Sequence, residues 1–174
     1  MENTSKFSNS DKIIMQLALE EAKIALNKGD YPVGAVLVID REVVAKKRNR
    51  LHNDKDWVSH AELLLITENS KLIREKIKSG SKVELFTTLE PCLMCLGASV
   101  SNRISRIVFS CPDPHGGSTH LNPKQLTEWY ARKWPKIEGG LLRKESYGLM
   151  IQFMKSKNTG TWNRILKLFE AMYK

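Results

Sequence analysis

Between positions 11 and 28, Ile13, Ile14, Leu17, Ala18, Ala22, Ala25 and Leu26 recur with a period near 3.6 residues, and Gly29 follows. This pattern predicts an amphipathic helix with Ser10 or Asp11 as its N-cap. The next stretch changes period. "PVGAVLVID" and "REVVAK" are rich in β-branched residues and meet at Asp40-Arg41, which predicts a β-hairpin whose turn type the sequence leaves open. Because its first arm is apolar throughout, that arm belongs in the middle of a sheet. "RNRLHNDKDWV" has no period and many turn formers, and is expected to be a loop. A helix is expected from Ser59 to about Ser79, broken around Asn69-Ser70.

Further along, "KVELFTT" predicts a third strand, "PCLMCLGASVSN" a helix with Pro91 in its first turn, and "RISRIVFS" a fourth strand. Strand, helix and strand in this order make a right-handed βαβ unit with parallel strands. "CPDPHGGSTHLN" is turn-rich, "PKQLTEWYARKW" predicts a helix led by Asn122 and Pro123, and "GGLLRKESYGLMIQFMKSK" predicts another. In the last stretch, "GTWNRILKLFEAMYK", a helix offers Trp162, Ile165, Leu166, Leu168, Phe169 and Met172 for docking. Helices around a mixed sheet, in one domain, are the expected architecture for 174 residues.

Composition narrows the classes of function. The longest apolar runs fall far short of the ~20 residues a membrane helix needs, and the polar opening "MENTSKFSNSDK" lacks the apolar core of a secretory signal. No membrane association and a cytoplasmic location are therefore expected. Twenty-eight Lys and Arg against nineteen Asp and Glu give a net charge of +9, which favours polyanions such as RNA or phosphorylated metabolites. The basic residues are scattered, so the sequence does not show them converging. Three cysteines, two of them spaced Cys-x-x-Cys, speak for a metal or redox role in a reducing compartment.

The chemistry gathers around "VSHAELLLI". Ser59 and Glu62 have the spacing of a capping box, in which each satisfies an orphan amide at a helix start. That account gives His60 nothing to do. "TTLEPCLMCLGA" supplies Cys92 and Cys95 after a strand and at a helix start, where the amide donors and helix dipole favour thiolates. His60, Cys92 and Cys95 suit tetrahedral Zn²⁺ and leave a fourth position for a water or hydroxide, the arrangement of a catalytic rather than a structural zinc. His-x-Glu followed by Pro-Cys-x-x-Cys is the signature of zinc nucleobase deaminases, where the Glu is a proton shuttle and not a ligand. Glu62 is accordingly the expected catalytic residue. Cys111 as a fourth thiolate would close the site, but its place after a strand favours a small buried residue; His115 and His120 are further possible ligands.

These motifs resemble the cytidine deaminase superfamily, most closely its bacterial branch of tRNA-specific adenosine and nucleoside deaminases. The likeness runs through "YPVGAVLVID", "KRNR", "SHAELLLI", "FTTLEPCLMCLGA", "RISRIVFS" and "EGGLLRKESYGLMIQFM". It implies a three-layer α/β/α sandwich with a mixed central sheet, one Zn²⁺ per chain, and a homodimer. It covers most of 11–156, the expected deaminase domain, with a polar tail at 1–10 before it and, beyond the resemblance, a helical extension at 157–174. Carried over by position, the resemblance makes Asn49 a contact to the base, the Pro91-Cys92 turn a support for the attacking water, and Asp113 a neighbour of the target nucleotide. Ala61, between His60 and Glu62, and Trp57, placed to crowd or stack on a base, complete the expected substrate contacts. Two stretches depart from the editing branch: "PDPHGGSTHLNP" replaces an Asp-x-Lys-x-Gly-Ala-like loop, and "DWVSH" replaces a short Pro-containing lead.

The function expected from the resemblance is hydrolytic deamination of adenosine to inosine in tRNA. A deaminase of a free base, nucleoside or nucleotide shares the zinc elements and the Asn, and stands as the alternative. A zinc-stabilised RNA-binding module without catalysis is more remote, since it leaves Glu62 idle.

Overall fold

The computed structural model describes residues 6–157 and 159–173; the expected tail at 1–10 therefore falls in part, over 1–5, outside the described residues. The first α-helix among the described residues, α1 (Asn9–Asn27), starts two residues before the expected position. Ser8 is the cap. Its hydroxyl accepts from the Asp11 amide while the Asp11 carboxylate accepts from the Ser8 amide, so the reciprocal box forms with Asp in place of Glu. The buried stripe runs through Ile14, Met15, Ala18, Leu19, Ala22 and Ala25, which leaves Ile13 60% exposed and corrects its place in the expected core. Gly29, at φ +78°, ends the helix in the left-handed region.

Among the described residues the sheet has five strands in the order β2-β1-β3-β4-β5. Strands β1 (Gly34–Ile39) and β2 (Glu42–Arg48) form the expected hairpin. Asp40 and Arg41 both have positive φ, 49° and 73°, so the two-residue turn is of type I′. β1 is buried along its whole length and also pairs, antiparallel, with β3 (Val83–Leu89). β3, α5 (Leu93–Ser101) and β4 (Arg106–Cys111) form the βαβ unit with β3 and β4 parallel. A fifth strand, β5 (Lys136–Gly139), lies parallel to β4 at the edge. The sequence hides it, because "KIEG" is short and half charged; neighbouring Arg106 takes up its Glu138.

The pleat sorts side chains into two cores. Val36, Val38, Phe86 and Val108 face α1, while Ala35, Leu37, Leu85 and Ile107 face Ala61 and Leu65 of α3 (Ala61–Glu68) and Leu96 and Val100 of α5. Helices on both faces of a mixed sheet make the three-layer sandwich. Gly34 lets α1 close on β1, since a Cβ there would stand 2.0 Å from the Ala18 carbonyl oxygen.

Two expectations change in the connecting segments. The loop after β2 contains a helical turn, α2 (Leu51–Asp54), and the segment 123–134 is not one helix but a 3₁₀ turn (Pro123–Gln125) followed by a short α6 (Glu128–Ala131). α3 and α4 (Ser70–Lys78) break at Asn69, as expected. After β5, α7 (Arg143–Lys157) is followed by α8 (Gly160–Met172), capped by Thr159. Ile165 and Phe169 of α8 are buried, Trp162, Leu166 and Met172 pack against the core, and Leu168 stays exposed.

Candidate active site

Parallel β3 and β4 end side by side at Leu89 and Cys111, and α5 leaves from the end of β3. Cys92 is the N-cap of α5 and Cys95 its third residue; Pro91 therefore precedes the cap rather than occupying the first turn. From the neighbouring helix comes His60, itself the N-cap of α3 with extended backbone (φ −75°, ψ 145°). Ser59 does not cap α3. Its hydroxyl donates to Asp54 and Asp56, which fixes the loop ahead of His60, and the Ser59–Glu62 box that the spacing allows is absent. Since His60 lies outside the helix proper, a residue two positions on need not diverge from it, and Glu62 enters the same site.

His60 Nδ1 lies 3.7 Å from both Cys92 Sγ and Cys95 Sγ, and the three ligand atoms are all within 4.8 Å of one another. Zn–S and Zn–N bonds of ~2.3 and ~2.0 Å at the tetrahedral angle separate sulfur from nitrogen by about 3.5 Å. The cluster thus has the spacing and the borderline-soft donors of a zinc site. Cys111 is not in it: the buried thiol donates to the Pro112 carbonyl, 3.3 Å away, so nothing in the cluster supplies a fourth protein ligand among the described residues.

Electrostatics within the cluster are uneven. The Cys95 thiol donates to Cys92, and this, with His60, holds Cys92 down at about 4, although burial opposes it. Cys95 is pushed up, by that same bond and by burial. His60 is raised, chiefly by its hydrogen bond to the Cys92 sulfur. Glu62 is buried, and burial pushes its carboxyl above the ordinary range against the stabilising bond that Thr87 Oγ1 donates to its Oε1 at 2.9 Å. Its other oxygen faces Cys95 Sγ at 3.8 Å.

A cavity of about 630 Å³ opens over this cluster. That volume lies within the usual span of ligand sites, ~300–1,000 Å³. His60, Glu62 and Cys92 line it together with Asn49, Trp57 and Asp113. Asn49 is buried and its Oδ1 accepts from the Leu51 amide, which leaves the carboxamide NH₂ for a ligand. Trp57 is 83% exposed at the rim and is not a core residue. Burial raises the Asp113 carboxyl. Ala61 is fully buried in the core and Pro91 turns its carbonyl to Ser118, so neither side chain lines the cavity. His115 lines it, whereas His120 is exposed elsewhere.

Sequence reasoning missed several walls. Tyr31 and His52 lie in the cavity lining, and Thr159, Thr161, Trp162 and Ile165 bring α8 to it. Glu90 was also missed. It accepts from the amides of Asp113 and Thr119 and from the Thr119 hydroxyl, pinning the loop after β4 against the cavity. A glutamate one residue before Pro-Cys gives no local sign of a partner 23 residues on.

Residues 8–111 match the family described as the cytidine and deoxycytidylate deaminase zinc-binding region. The tRNA-specific adenosine deaminase of Bacillus subtilis is 36% identical over 145 residues, covering 83% of this chain and 89% of that protein. The protein of the same name from Agrobacterium fabrum is 34% identical over 143 residues, covering 82% and 93%. Among solved structures, one from a study of A-to-I editing by tRNA:A34 deaminases superposes with a TM-score of 0.62 at 32% identity, over 79% of this chain and 98% of that one. The guanine deaminase of Nitrosomonas europaea shares the fold, with a TM-score of 0.64 at 20% identity over 82% and 83% of the two chains.

Proposed function

The chain belongs to the cytidine and deoxycytidylate deaminase zinc-binding family, and from that premise we propose that it is a zinc-dependent hydrolytic deaminase converting adenosine to inosine in tRNA. One observation carries the reading: a three-donor His60–Cys92–Cys95 cluster shares a cavity with a buried glutamate that is not one of its ligands. His60, Cys92 and Cys95 would hold the zinc, which would supply the Lewis acidity that lowers the pKa of water from 15.7 to roughly 7 and so a water or hydroxide for the attack.

Glu62 handles the protons. Held by Thr87 on one oxygen, its carboxylate accepts the two protons of the attacking water in turn, passing the first to the ring nitrogen and the second to the departing amine. A C–O bond forms, the C–N bond breaks and ammonia leaves. Burial of Glu62 serves this role, because a carboxylate whose pKa is raised is the stronger base and takes a proton from water more readily. Asn49 orients the base through its free amide, Asp113 and Trp57 flank it, and the backbone at Ala61 and at the Pro91-Cys92 turn steadies the attacking water.

No Lys or Arg is among the described residues lining the cavity. It therefore receives base and ribose and leaves phosphates outside, where the net charge of +9 attracts an RNA backbone. The target base must be splayed from its stack to enter. No helix among the described residues is long and apolar enough to cross a membrane, and a cytoplasmic homodimer with the catalytic unit at 11–156 and a helical extension at 157–174 is part of this reading.

The test is inosine and ammonia formation from tRNA by zinc-loaded protein, with Glu62→Gln as control. The variant is expected to retain zinc and lose on the order of 10³ in kcat. Turnover of a free base or nucleoside with tRNA untouched would reassign the substrate.

A further inference from the structure

The last helix extends the cavity in a way that the catalytic cluster does not require. Thr159, Thr161, Trp162 and Ile165 of α8 and its cap share the lining with His60 and Glu62. Ile165 is buried, Trp162 half-buried and Thr161 exposed. Trp162 is not loosely draped over the site. Its ring lies 5.4 Å from Tyr31 at a 36° tilt and meets Phe153 of α7 edge to face at 5.1 Å. Tyr31, also a wall of the cavity, meets Phe153 edge to face at 5.1 Å. An aromatic cluster thus ties the end of the chain to the cavity and holds the indole in place.

The chemistry of this wall restricts what it can recognise. It carries no charge, so it offers phosphate no ion pair, while a fixed indole edged by two hydroxyls suits the face of a base and the hydroxyls of its sugar. A cavity of about 630 Å³ is also larger than one base needs.

We propose that α8 is a specificity wall: Trp162, with Thr161 beside it, holds a nucleotide next to the reacting adenosine by stacking and sugar contacts. The inference rests on the RNA-editing reading above. Trp162 acts on substrate selection, and Glu62 with the His60–Cys92–Cys95 cluster retains the chemistry.

The experiment measures binding of an anticodon stem-loop RNA to Glu62→Gln protein, so that no turnover intervenes, and KM and kcat in the active background. Trp162→Ala is expected to weaken binding about tenfold or more and to raise KM with little change in kcat. Trp162→Phe should restore most of the affinity. Because no phosphate contact is lost, the slope of log K against log salt stays that of the parent. Zinc content and melting temperature are recorded alongside. Should Trp162→Ala fold poorly, Thr161→Trp supplies the same test from an exposed position, with bulk expected to obstruct the neighbouring nucleotide and weaken binding by more than about threefold. Asn163→Ala, on the same helix but outside the lining, is the control and should bind as the parent does. If both Trp162→Ala and Thr161→Trp leave affinity and KM unchanged while the parent edits RNA, the wall is not a recognition surface and the functional reading survives. If the parent neither binds nor edits RNA, both fall together.

Discussion

Strands β3 and β4 carry a polar cluster at each end, and the two clusters are built on opposite plans. At the start of the strands, Glu84 lies opposite Arg106 in the register, and the Arg106 guanidinium also bonds Asp11 of α1 and Glu138 of β5, at 2.7–3.0 Å. At their far ends, about 17 Å away for a strand of this length, His60, Glu62, Cys92 and Cys95 crowd together. In the first cluster burial pushes the Asp11 and Glu138 carboxyls up, but Arg106, with Ser8 at Asp11 and Lys136 at Glu138, outweighs it and leaves both below their ordinary values. In the second, burial wins and Glu62 ends above its ordinary range. Size does not separate them, since the cavity around Arg106 is the larger, at about 760 Å³. What separates them is whether each charge has found its counter-charge within the chain. The Arg106 end is complete, while the other end holds donors whose best partner is a metal and a buried acid whose best partner is a proton in transit.

The sharpest way to break this comparison is to remove a donor. Cys92→Ala should abolish zinc binding, read by metal analysis, and abolish ammonia release, yet its melting temperature should change less than its activity. Next in size, Arg106→Met leaves Asp11 and Glu84 without their shared cation and Glu138 with Lys136 alone. A loss of about 3 kcal/mol is expected, roughly 6–12 °C in melting temperature, with kcat per folded molecule preserved. Equal effects of the two variants on activity would erase the distinction drawn between the ends. The smallest effect sharpens it. Asp11 and Glu138 are held below their ordinary 3.8 and 4.5, so the folded chain releases protons that the unfolded chain keeps. Their contribution is fully present above those values and is lost as pH falls through and below them. Melting temperature should therefore drop on acidification from about pH 5, and Arg106→Met should flatten that dependence.

The same contrast explains what could be read from the residues alone. The site's ligands were legible because tetrahedral coordination demands few residue types at narrow spacings, so His60, Cys92 and Cys95 declare themselves in one dimension. Arg106, Asp11 and Glu138 come together across 95 and 32 residues and belong to no motif. The hairpin and the βαβ unit followed from period and β-branching, whereas β5 has neither and exists because β4 offers it an edge. Ser59 and Glu62 show the opposite failure. Their spacing is correct for a capping box, but tertiary contacts redirected both, Ser59 to Asp54 and Asp56 and Glu62 to Thr87. The apolar period of α8 foretold that it docks and not that it docks beside His60, because amphipathicity records a buried face without recording its neighbour.

The loop after β4 is fastened at its base rather than along its length. Glu90 takes the Asp113 and Thr119 amides and the Thr119 hydroxyl, Ser118 bonds the Pro91 carbonyl, and Gly117 bridges to Cys92. A Cβ on Gly117 would stand 2.5 Å from the Glu90 carboxylate, so that position is reserved for glycine. Between these fastenings, Pro114, His115 and Gly116 form a tip that touches the cavity and bears little of the fold. The loop is in effect a cassette: its sockets are Glu90 and Gly117, its insert is three residues, and exchanging the insert is a route to remodel the mouth for another nucleobase without rebuilding the frame beneath it.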